Sequence, residues 1–361
     1  MNKYTNSILI FILLTLSIVG CKESDDNVTV NEVNKPVAKF ELPFNNASAQ
    51  RGKSFRVEVV LNDLERVKNL KIFIKDTILF NGKPKKDQYL FEVNTKTWSL
   101  GTNQISLIAT TTDNKTKRDN RRVQLLSDVY PEEFTAEVIK AYPHQTSSFT
   151  QGLEFDGKQL YEGTGSQGNT GISMIAKVNY ETGQIKERKN LDQRYFGEGI
   201  TIMGDKLFQL TWQNNTCFVY DKNTLEKLKE FNYNGEGWGL CNDGEFLIMS
   251  DGSERISFVD PSNFALKKVI EVYSNEGPVK ALNELEYING KIFANVYQTD
   301  FIVVIDPTTG TVEKRIDASL VALDHRKTGE VLNGIAYLKE SQQLFITGKN
   351  WPSLLEVGLV K

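Results

Sequence analysis

The chain has 361 residues and a formal net charge of −3, with 40% hydrophobic and 25% charged residues. This composition excludes a wholly disordered chain and argues against nucleic acid as a partner, because nucleic-acid binders usually carry a basic stripe. Two histidines, His144 and His325, cannot supply a three-histidine zinc site, and the three cysteines do not form a Cys-rich finger. A Ser-His-Asp or Cys-His site stays arithmetically possible, but no local signature supports it. We therefore expect no metal or other cofactor, and chemistry carried by carboxylates, amides and aromatic side chains.

The N-terminal segment has the pattern of an export signal. Lys3 precedes an apolar run over residues 8–19, which is shorter than the roughly 20 residues of a membrane-spanning helix. A glycine and then Cys21 follow this run, and the pair resembles the lipobox of bacterial lipoproteins, in which the cysteine is lipidated. An ordinary signal peptide with an incidental cysteine is the alternative. The prediction is a signal peptide over 1–20, a polar tether over 21–35 and a place in the bacterial cell envelope, on the outer membrane or cell surface, with the lipid as the membrane contact.

Short alternating strands fill residues 36–127. The clearest of them are 55–61, 70–74 and 105–110, and polar turns separate them. Period-two alternation with turns at this spacing is typical of a small β-sandwich, and here it predicts an immunoglobulin-like domain. No pair of acids, glycine loop or aromatic cluster stands out in it, so we expect a spacer without chemistry.

A repeated hairpin pattern runs through residues 132–361. Each of its five copies holds an apolar strand, a tight turn and a second apolar strand: 151–161, 198–208, 238–248, 283–293 and 333–345. Asp-Gly, Gly-Asp and Asn-Gly pairs mark the turns. The copies start about 40 to 50 residues apart, the size of a four-stranded propeller blade. The pattern predicts an all-β fold with a five-bladed β-propeller, residues 136–142 completing the last blade; a sandwich or a solenoid is the alternative.

Aligning the five copies on their turns brings two rows of equivalent positions to one rim. The first row heads the first strands and holds Gln151, Glu198, Trp238, Asn283 and Asn333. The second row follows the second strands and holds Gly165, Trp212, Gly252, Tyr297 and Lys349. Because the two strands of a hairpin are antiparallel, the start of one lies beside the end of the other. First strands line the central channel of a propeller, so the two rows predict one pocket.

Each of these side chains also has an ordinary structural explanation. In that interpretation Glu198 is a solvated turn carboxylate, Lys349 is a surface charge, the tryptophans pack between blades and the amides cap backbone. Gathered on one rim, they instead describe apolar walls with a few convergent polar groups, which is the composition of a binding site. The predicted walls are Phe149, Phe196, Trp212, Trp238 and Tyr297.

Eight blocks of sequence in this region resemble one enzyme family. They are Phe-Thr-Gln-Gly-Leu at 149–153, then 196–201, 210–212, Glu-Gly-Trp-Gly-Leu at 236–240, then 282–287, 295–300, 332–337 and 347–352. In order and spacing they are similar to the plant and bacterial glutaminyl-peptide cyclotransferases, a metal-free family of five-bladed propellers. The resemblance covers roughly residues 132–359 and leaves the segment before it unexplained. It implies an enzyme that converts the N-terminal glutamine of peptides and proteins to pyroglutamate with release of ammonia.

The resemblance also implies a role for each rim residue. Glu198 falls on the family's catalytic carboxylate. The chemistry of the reaction adds that the attacking α-amine needs a base and the departing nitrogen an acid, and one carboxylate can serve as both in turn if its pKa lies near the working pH. The polar pocket residues are Gln151, Asn283 and Lys349, and the aromatic walls are those named above. Tyr297 departs from the family, which usually has tryptophan there; the altered wall and the added hydroxyl bear on substrate preference or rate. We expect a monomer.

Two other functions remain open at this point. A catalytically inactive propeller would bind peptide N-termini or another ligand in the same pocket. A protein-interaction platform would use the propeller surface, with the sandwich as a stalk. The state of Cys217 and Cys241 is also open: they form either a disulfide or two buried thiols.

Overall fold

A computed structural model describes residues 36–166 and 172–361 of the chain. The predicted signal peptide, Cys21 and the polar tether lie outside the described residues. Within the described ranges, no helix is long and apolar enough to cross a membrane.

Two β-sheets make up the first part of the described chain. Its strands are β1 (Ala38–Leu42), β2 (Ala47–Gln50), β3 (Ser54–Leu61), β4 (Val67–Ile74), β5 (Thr77–Gly82), β6 (Gln88–Asn94), β7 (Gly101–Thr111) and β8 (Thr116–Leu126). One sheet has the order β1-β3-β6 and the other the order β2-β8-β7-β4-β5. Alternate residues face inward, so that Leu70 and Leu107 of the larger sheet pack with Val57 of the smaller one in a shared core. The three strands predicted here correspond to β3, β4 and β7.

The rest of the chain is built almost wholly of strands. They are β9 (Glu132–Pro143), β10 (Phe149–Asp156), β11 (Gln159–Gly165), β12 (Met174–Asn179), β13 (Gln184–Asn190), β14 (Gly197–Met203), β15 (Lys206–Thr211), β16 (Thr216–Asp221), β17 (Lys227–Asn232), β18 (Leu240–Asn242), β19 (Leu247–Ser250), β20 (Arg255–Val259), β21 (Leu266–Glu271), β22 (Leu282–Ile288), β23 (Lys291–Val296), β24 (Phe301–Ile305), β25 (Val312–Asp317), β26 (Leu332–Leu338), β27 (Gln343–Gly348) and β28 (Ser353–Val360), with the short helix α1 (Ser319–His325) before β26.

These strands form antiparallel sheets arranged around a centre. β10–β13, β14–β17 and β18–β21 are four-stranded sheets in chain order. The remaining strands form one sheet with the order β22-β23-β24-β25-β9-β28-β27-β26, in which β9 pairs parallel with β25 and antiparallel with β28. The inner strands β10, β14, β18, β22 and β26 contact one another in that order, and β26 contacts β10. The ring of inner strands confirms the expectation of an all-β, propeller-like fold.

The inner hairpins form where the sequence predicts them. Asn289 and Gly290 have φ angles of 48° and 81°, and both values are positive as a type I′ turn requires. They join β22 to β23, and the pairing of Ile288 with Lys291 fixes the register beside the turn. Turn chemistry and alternation therefore agree at this hairpin, and such agreement is what makes a register unique.

The two-sheet part packs against the propeller-like part, and residues Val37–Lys361 form one unit. Leu100 and Leu125 contact Tyr273 in a small buried cluster. The backbone N–H of Thr102 donates to Glu271 Oε2 at 2.9 Å. The contact is thus apolar at its centre and hydrogen-bonded at its side.

The two internal cysteines are buried and unbonded. Cys217 lies in β16 and Cys241 in β18, and neither forms a disulfide with another residue of the part of the chain that the structure describes. Of the two alternatives that the sequence left open, the structure has the pair of buried thiols.

Candidate active site

The two rows of rim residues meet because the inner hairpins are in the predicted register. Phe149 pairs with Gly165 at one end of β10, Leu282 pairs with Val296, and Leu332 pairs with Gly348. Each pairing joins the start of a first strand to the end of a second strand. The antiparallel pairing that the sequence predicts is therefore confirmed at these hairpins.

A local irregularity directs the first-row side chains. The register shifts between Thr150 and Gly152, between Gly197 and Ile200, between Leu282 and Leu285, and between Leu332 and Ile335. The residues in these shifts include Gln151, Glu198, Asn283 and Asn333. An extra residue bends a strand and changes the direction of its side chain, and such bulges are common beside active sites. The fifth first-row residue, Trp238, lies two residues before β18.

Glycines that directly follow the rim residues Glu198 and Trp238 let the inner strands approach closely. A Cβ on Gly239 would lie 1.9 Å from the carbonyl oxygen of Asn283, and one on Gly199 would lie 2.4 Å from the backbone nitrogen of Leu240. Neither distance is compatible with a side chain. The glycines thus bring the rim residues of successive sheets within reach of one another.

The structure places all nine predicted site residues around one pocket of about 240 Å³. Its lining consists of Phe149, Gln151, Phe196, Glu198, Trp212, Trp238, Asn283, Tyr297 and Lys349. Three other rim residues lie behind this lining. Gly165 and Gly252 leave room for rings, since a Cβ would meet Phe196 at 2.2 Å and Trp238 at 2.6 Å. The amide nitrogen of Asn333 donates to Gln151 Oε1 at 3.1 Å.

The aromatic side chains line the pocket in two groups. Phe149, Phe196 and Trp212 form a row of edge-to-face contacts with ring centres 6.0 and 5.8 Å apart. Trp238 and Tyr297 form a second edge-to-face pair with centres 5.5 Å apart. These are the arrangements that ring quadrupoles favour. The two groups give the pocket rigid apolar walls.

Lys349 connects the two aromatic groups on one side. Its ammonium lies 4.7 Å from the ring centre of Phe149 and 5.0 Å from that of Tyr297. Both distances are within the range of a cation–π contact. Burial lowers the pKa of Lys349, while the charges of Glu198 and Glu330 oppose that fall.

Glu198 is a buried carboxyl group with unused hydrogen-bonding capacity. Its side chain is 4% exposed, and Oε2 has no hydrogen-bond partner among the described residues. Burial raises the pKa of Glu198 well above its ordinary value; Lys349 opposes the rise and Glu236 adds to it. A buried polar atom without a partner is unfavourable unless a ligand or water completes it. The pocket therefore presents an oxygen that can accept or deliver a proton.

A second buried acid, which the sequence did not single out, supports the pocket from behind. Glu162 Oε1 lies 3.0 Å from His144 Nε2, and it accepts hydrogen bonds from Thr150 and Ser148. The other imidazole nitrogen lies 2.8 Å from the carbonyl oxygen of Trp351. The pair thereby ties the strand that carries Gln151 to the loop that follows Lys349. No local sequence pattern indicates the role of Glu162, because its partners come from three separate strands or loops.

Burial and charge act in opposite directions on this pair. Burial disfavours ionisation of Glu162, but the charge and hydrogen bonds of His144 outweigh it and lower the pKa of the carboxyl group. Burial likewise disfavours the imidazolium, but Glu162 outweighs it and raises the pKa of His144. Both directions favour an ion pair.

Glu236 is, like Glu162, an acid to which the sequence analysis gave no role, although it begins the block 236–240 that resembles the family. It accepts hydrogen bonds from the indole N–H groups of Trp212 and Trp238 at the pocket mouth.

Within residues 36–166 and 172–361, no group of three or more His, Cys, Asp or Glu side chains is arranged to hold a metal ion.

Comparisons with known proteins identify the family. A family model described as glutamine cyclotransferase matches residues 104–359. A curated glutaminyl-peptide cyclotransferase of Arabidopsis thaliana is 41% identical over 229 residues, which is 62% of this chain and 71% of the relative. The crystal structure of Myxococcus xanthus glutaminyl cyclase has 37% sequence identity and a TM-score of 0.60, and the match covers 63% of this chain and 98% of that one. The resemblance seen in the sequence is confirmed: the chain belongs to the glutamine cyclotransferase family.

Proposed function

We propose that this chain converts the N-terminal glutamine of peptides and proteins to pyroglutamate and releases ammonia. The observation that carries the proposal is the buried Oε2 of Glu198, which lies in an aromatic pocket and has no partner within residues 36–166 and 172–361. Family membership supplies the reaction, and the pocket supplies groups suited to it. With a volume of about 240 Å³, the pocket suits the size of a single residue better than that of a long peptide segment.

The reaction needs a folded substrate more than an added nucleophile. The α-amine attacks the γ-carboxamide carbon of the same residue, a C–N bond forms, and the bond to the amide nitrogen breaks. Holding two groups of one molecule in reacting geometry is worth roughly 7–11 kcal/mol in favourable cases. The aromatic walls hold the curled side chain in that geometry. They also exclude water, which disfavours simple deamidation.

Glu198 moves the proton in this proposal. The attacking amine loses one proton, the departing nitrogen gains one, and a single carboxyl group between them serves both steps. A base is most effective when its pKa lies near the working pH. Burial shifts the pKa of Glu198 upward, in that direction.

Amide and ammonium groups stabilise the negative oxygen that develops on the carboxamide carbon under attack. Gln151 Oε1 already accepts a hydrogen bond from Asn333, so Nε2 is the end that remains to donate to a substrate. Asn283 and Lys349 line the same pocket as further donors. Donors fixed in advance in a buried site lower the barrier without having to reorganise.

The architecture that we propose has a catalytic five-bladed propeller over 132–361 and an immunoglobulin-like spacer over 36–127. The closed ring of five inner strands supports the blade count. The two packed sheets with a shared core support the spacer. Every residue of the pocket lining comes from the propeller segment.

We also propose that the protein is a monomeric lipoprotein of the bacterial cell envelope. The signal-like segment over 1–20 and the following Cys21 support this location. Replacing Cys21 by serine in the full chain is expected to release the protein from the membrane fraction. Metabolic labelling with a fatty acid checks the lipid, and an unlabelled wild-type protein contradicts the anchor.

The activity is tested with the purified protein and a peptide that begins with glutamine. Mass spectrometry is expected to show the loss of one ammonia, and an enzyme-coupled assay the matching release of ammonia. The control is the same peptide with an acetylated α-amine, which lacks the nucleophile and is expected to stay unchanged. A wild-type protein that leaves the free-amine peptide intact would overturn the proposal in favour of an inactive, ligand-binding propeller.

A further inference from the structure

The pocket wall is completed by a residue outside the pocket lining. From Trp212 the contacts run through Phe196 and Phe149 to Lys349. From Lys349 they continue to Tyr297 and Trp238. The two ends of this arc are therefore the two tryptophans. Trp212 is also 37% exposed, so little packing fixes its ring on the outer side.

Glu236 bridges the two ends of the arc. The indole N–H of Trp212 donates to Glu236 Oε2 at 2.7 Å, and that of Trp238 donates to the same oxygen at 2.9 Å. The second oxygen, Oε1, accepts from the side-chain amide of Gln213 at 3.2 Å. One carboxylate thus closes a continuous circuit of contacts around the pocket.

We propose that Glu236 is a positioning residue for the cyclisation, and that it sets the spacing of the Trp212 and Trp238 rings between which the glutamine side chain is held. The proposal rests on the proposed function. An indole ring rotates about two side-chain bonds, and a hydrogen bond at its N–H removes much of that freedom. Both rings are fixed before the substrate arrives, so the substrate does not lose affinity by ordering them.

The state of Glu236 suits this role. Hydrogen bonds from Trp238, and then from Trp212 and Gln213, hold the pKa of Glu236 below its ordinary value despite partial burial. The group is therefore ionised at neutral pH. Hydrogen bonds to an ionised acceptor are about twice as strong as those between neutral groups.

The kinetic test compares two substitutions at this position. Glu236→Ala removes the acceptor, and KM for a glutamine-leading dipeptide is expected to rise about 10-fold with a smaller fall in kcat. Glu236→Gln keeps one carbonyl oxygen that accepts from both indoles, so KM is expected to stay within about 3-fold of wild type. Gln213→Ala is the matched control, because it removes the neighbour on the other oxygen and leaves both indole hydrogen bonds. Wild-type KM and kcat in Glu236→Ala would overturn the proposal.

A spectroscopic test keeps this proposal separate from the activity. The chain has four tryptophans, so a ¹⁵N-labelled protein gives four indole N–H resonances. Trp212→Phe and Trp238→Phe assign two of them. Glu236→Ala is expected to move those two and leave the resonances of Trp98 and Trp351 in place. If the two resonances move but the wild-type protein releases no ammonia, the proposed function fails and only the fixing of the two rings by Glu236 stands. If ammonia is released and the resonances do not move, the positioning by Glu236 fails.

Discussion

Two buried carboxyl groups on different inner strands of the same ring have opposite surroundings. Glu284, inside the channel, accepts a backbone N–H at each oxygen, from Leu153 at 3.1 Å and from Ile335 at 2.9 Å. Glu198, at the rim, has an Oε2 atom without a partner among the described residues. Burial raises the pKa of both side chains. Burial and the direction of the pKa shift are therefore the same for Glu198 and Glu284, and the two side chains differ in their hydrogen bonds.

The difference shows what each carboxyl group contributes. Glu284 lies in β22 and bonds to β10 and β26, so it joins three inner strands of the ring. Each of its oxygens accepts from a backbone N–H of another inner strand, which a substrate does not displace. Glu198 retains capacity for a ligand at the price of an unsatisfied atom. Unsatisfied buried groups in native proteins are expected at functional sites, where strain or a missing ligand explains them.

The largest expected effect is on turnover in Glu198→Gln. The change keeps the shape of the side chain and removes its titratable proton, and general acid–base catalysis is worth about 10²–10⁴-fold. We expect kcat to fall by that factor while KM changes much less, because the walls and donors remain. Steady-state kinetics with a glutamine-leading dipeptide measure both, and circular dichroism confirms the fold. A near wild-type kcat would remove this carboxylate from the mechanism.

The second prediction concerns the buried ion pair behind the pocket. Glu162→Gln leaves His144 buried without its counter-charge, and loss of one partner from such a pair costs about 3–5 kcal/mol of unfolding free energy. Urea denaturation of the full chain measures the loss. Glu187→Gln is the control, since its bridge to Lys177 is on the surface and is expected to be worth about 0–1 kcal/mol. Equal losses in the two variants would contradict a special role for the buried pair.

The third prediction separates carboxyl groups that bind one backbone N–H from those that bind two. Glutamine offers one acceptor oxygen, so Glu284→Gln leaves one of two backbone N–H groups unpaired, which costs about 1–3 kcal/mol. Among the described residues Glu286 accepts one hydrogen bond, from the backbone N–H of Tyr337 at 3.0 Å, and Glu286→Gln can keep that bond. We expect Glu284→Gln to lower the urea midpoint more than Glu286→Gln, with kcat of Glu286→Gln within a few-fold of wild type. The reverse order of midpoints would show that the backbone bonds do not decide stability here.

The sequence was sufficient for the features that depend on local pattern. Hairpin turns such as Asn289-Gly290 and the alternation around them predicted the inner strands and the rim on which nine site residues meet. The first strand after Trp238 was less well predicted. β18 begins only at Leu240, because residues 238 and 239 hydrogen-bond to Ser250 before regular pairing starts.

Contacts between residues far apart in the chain could not be predicted from the sequence. Nothing local indicates that Glu284 meets the backbone of β10 and β26, or that Glu162 meets His144. The bulge at Glu198 is likewise set by the neighbouring strand, which approaches closely at Gly199. Glu236 lies only two residues before Trp238, yet its bond to Trp212 depends on how two sheets pack. The roles of the site residues remain predictions that the variants above examine.

The smallest expected effect is a shift in the pH profile of kcat/KM, and it concerns the charges that face Glu198. The Lys349 cation favours the ionised carboxylate and so lowers the pKa of Glu198, while the Glu236 anion raises it. Glu198 must be ionised to accept the proton of the attacking amine, so the acid limb of the profile follows its pKa in the free enzyme. Lys349→Met is therefore expected to move that limb to higher pH, and Glu236→Gln to lower pH. The two variants remove charges of opposite sign next to Glu198. A general loosening of the structure would therefore move the acid limb in the same direction in both variants. Opposite shifts, measured with one dipeptide at constant ionic strength, would assign the acid limb to Glu198, and limbs that coincide with wild type in both variants would assign it to another group.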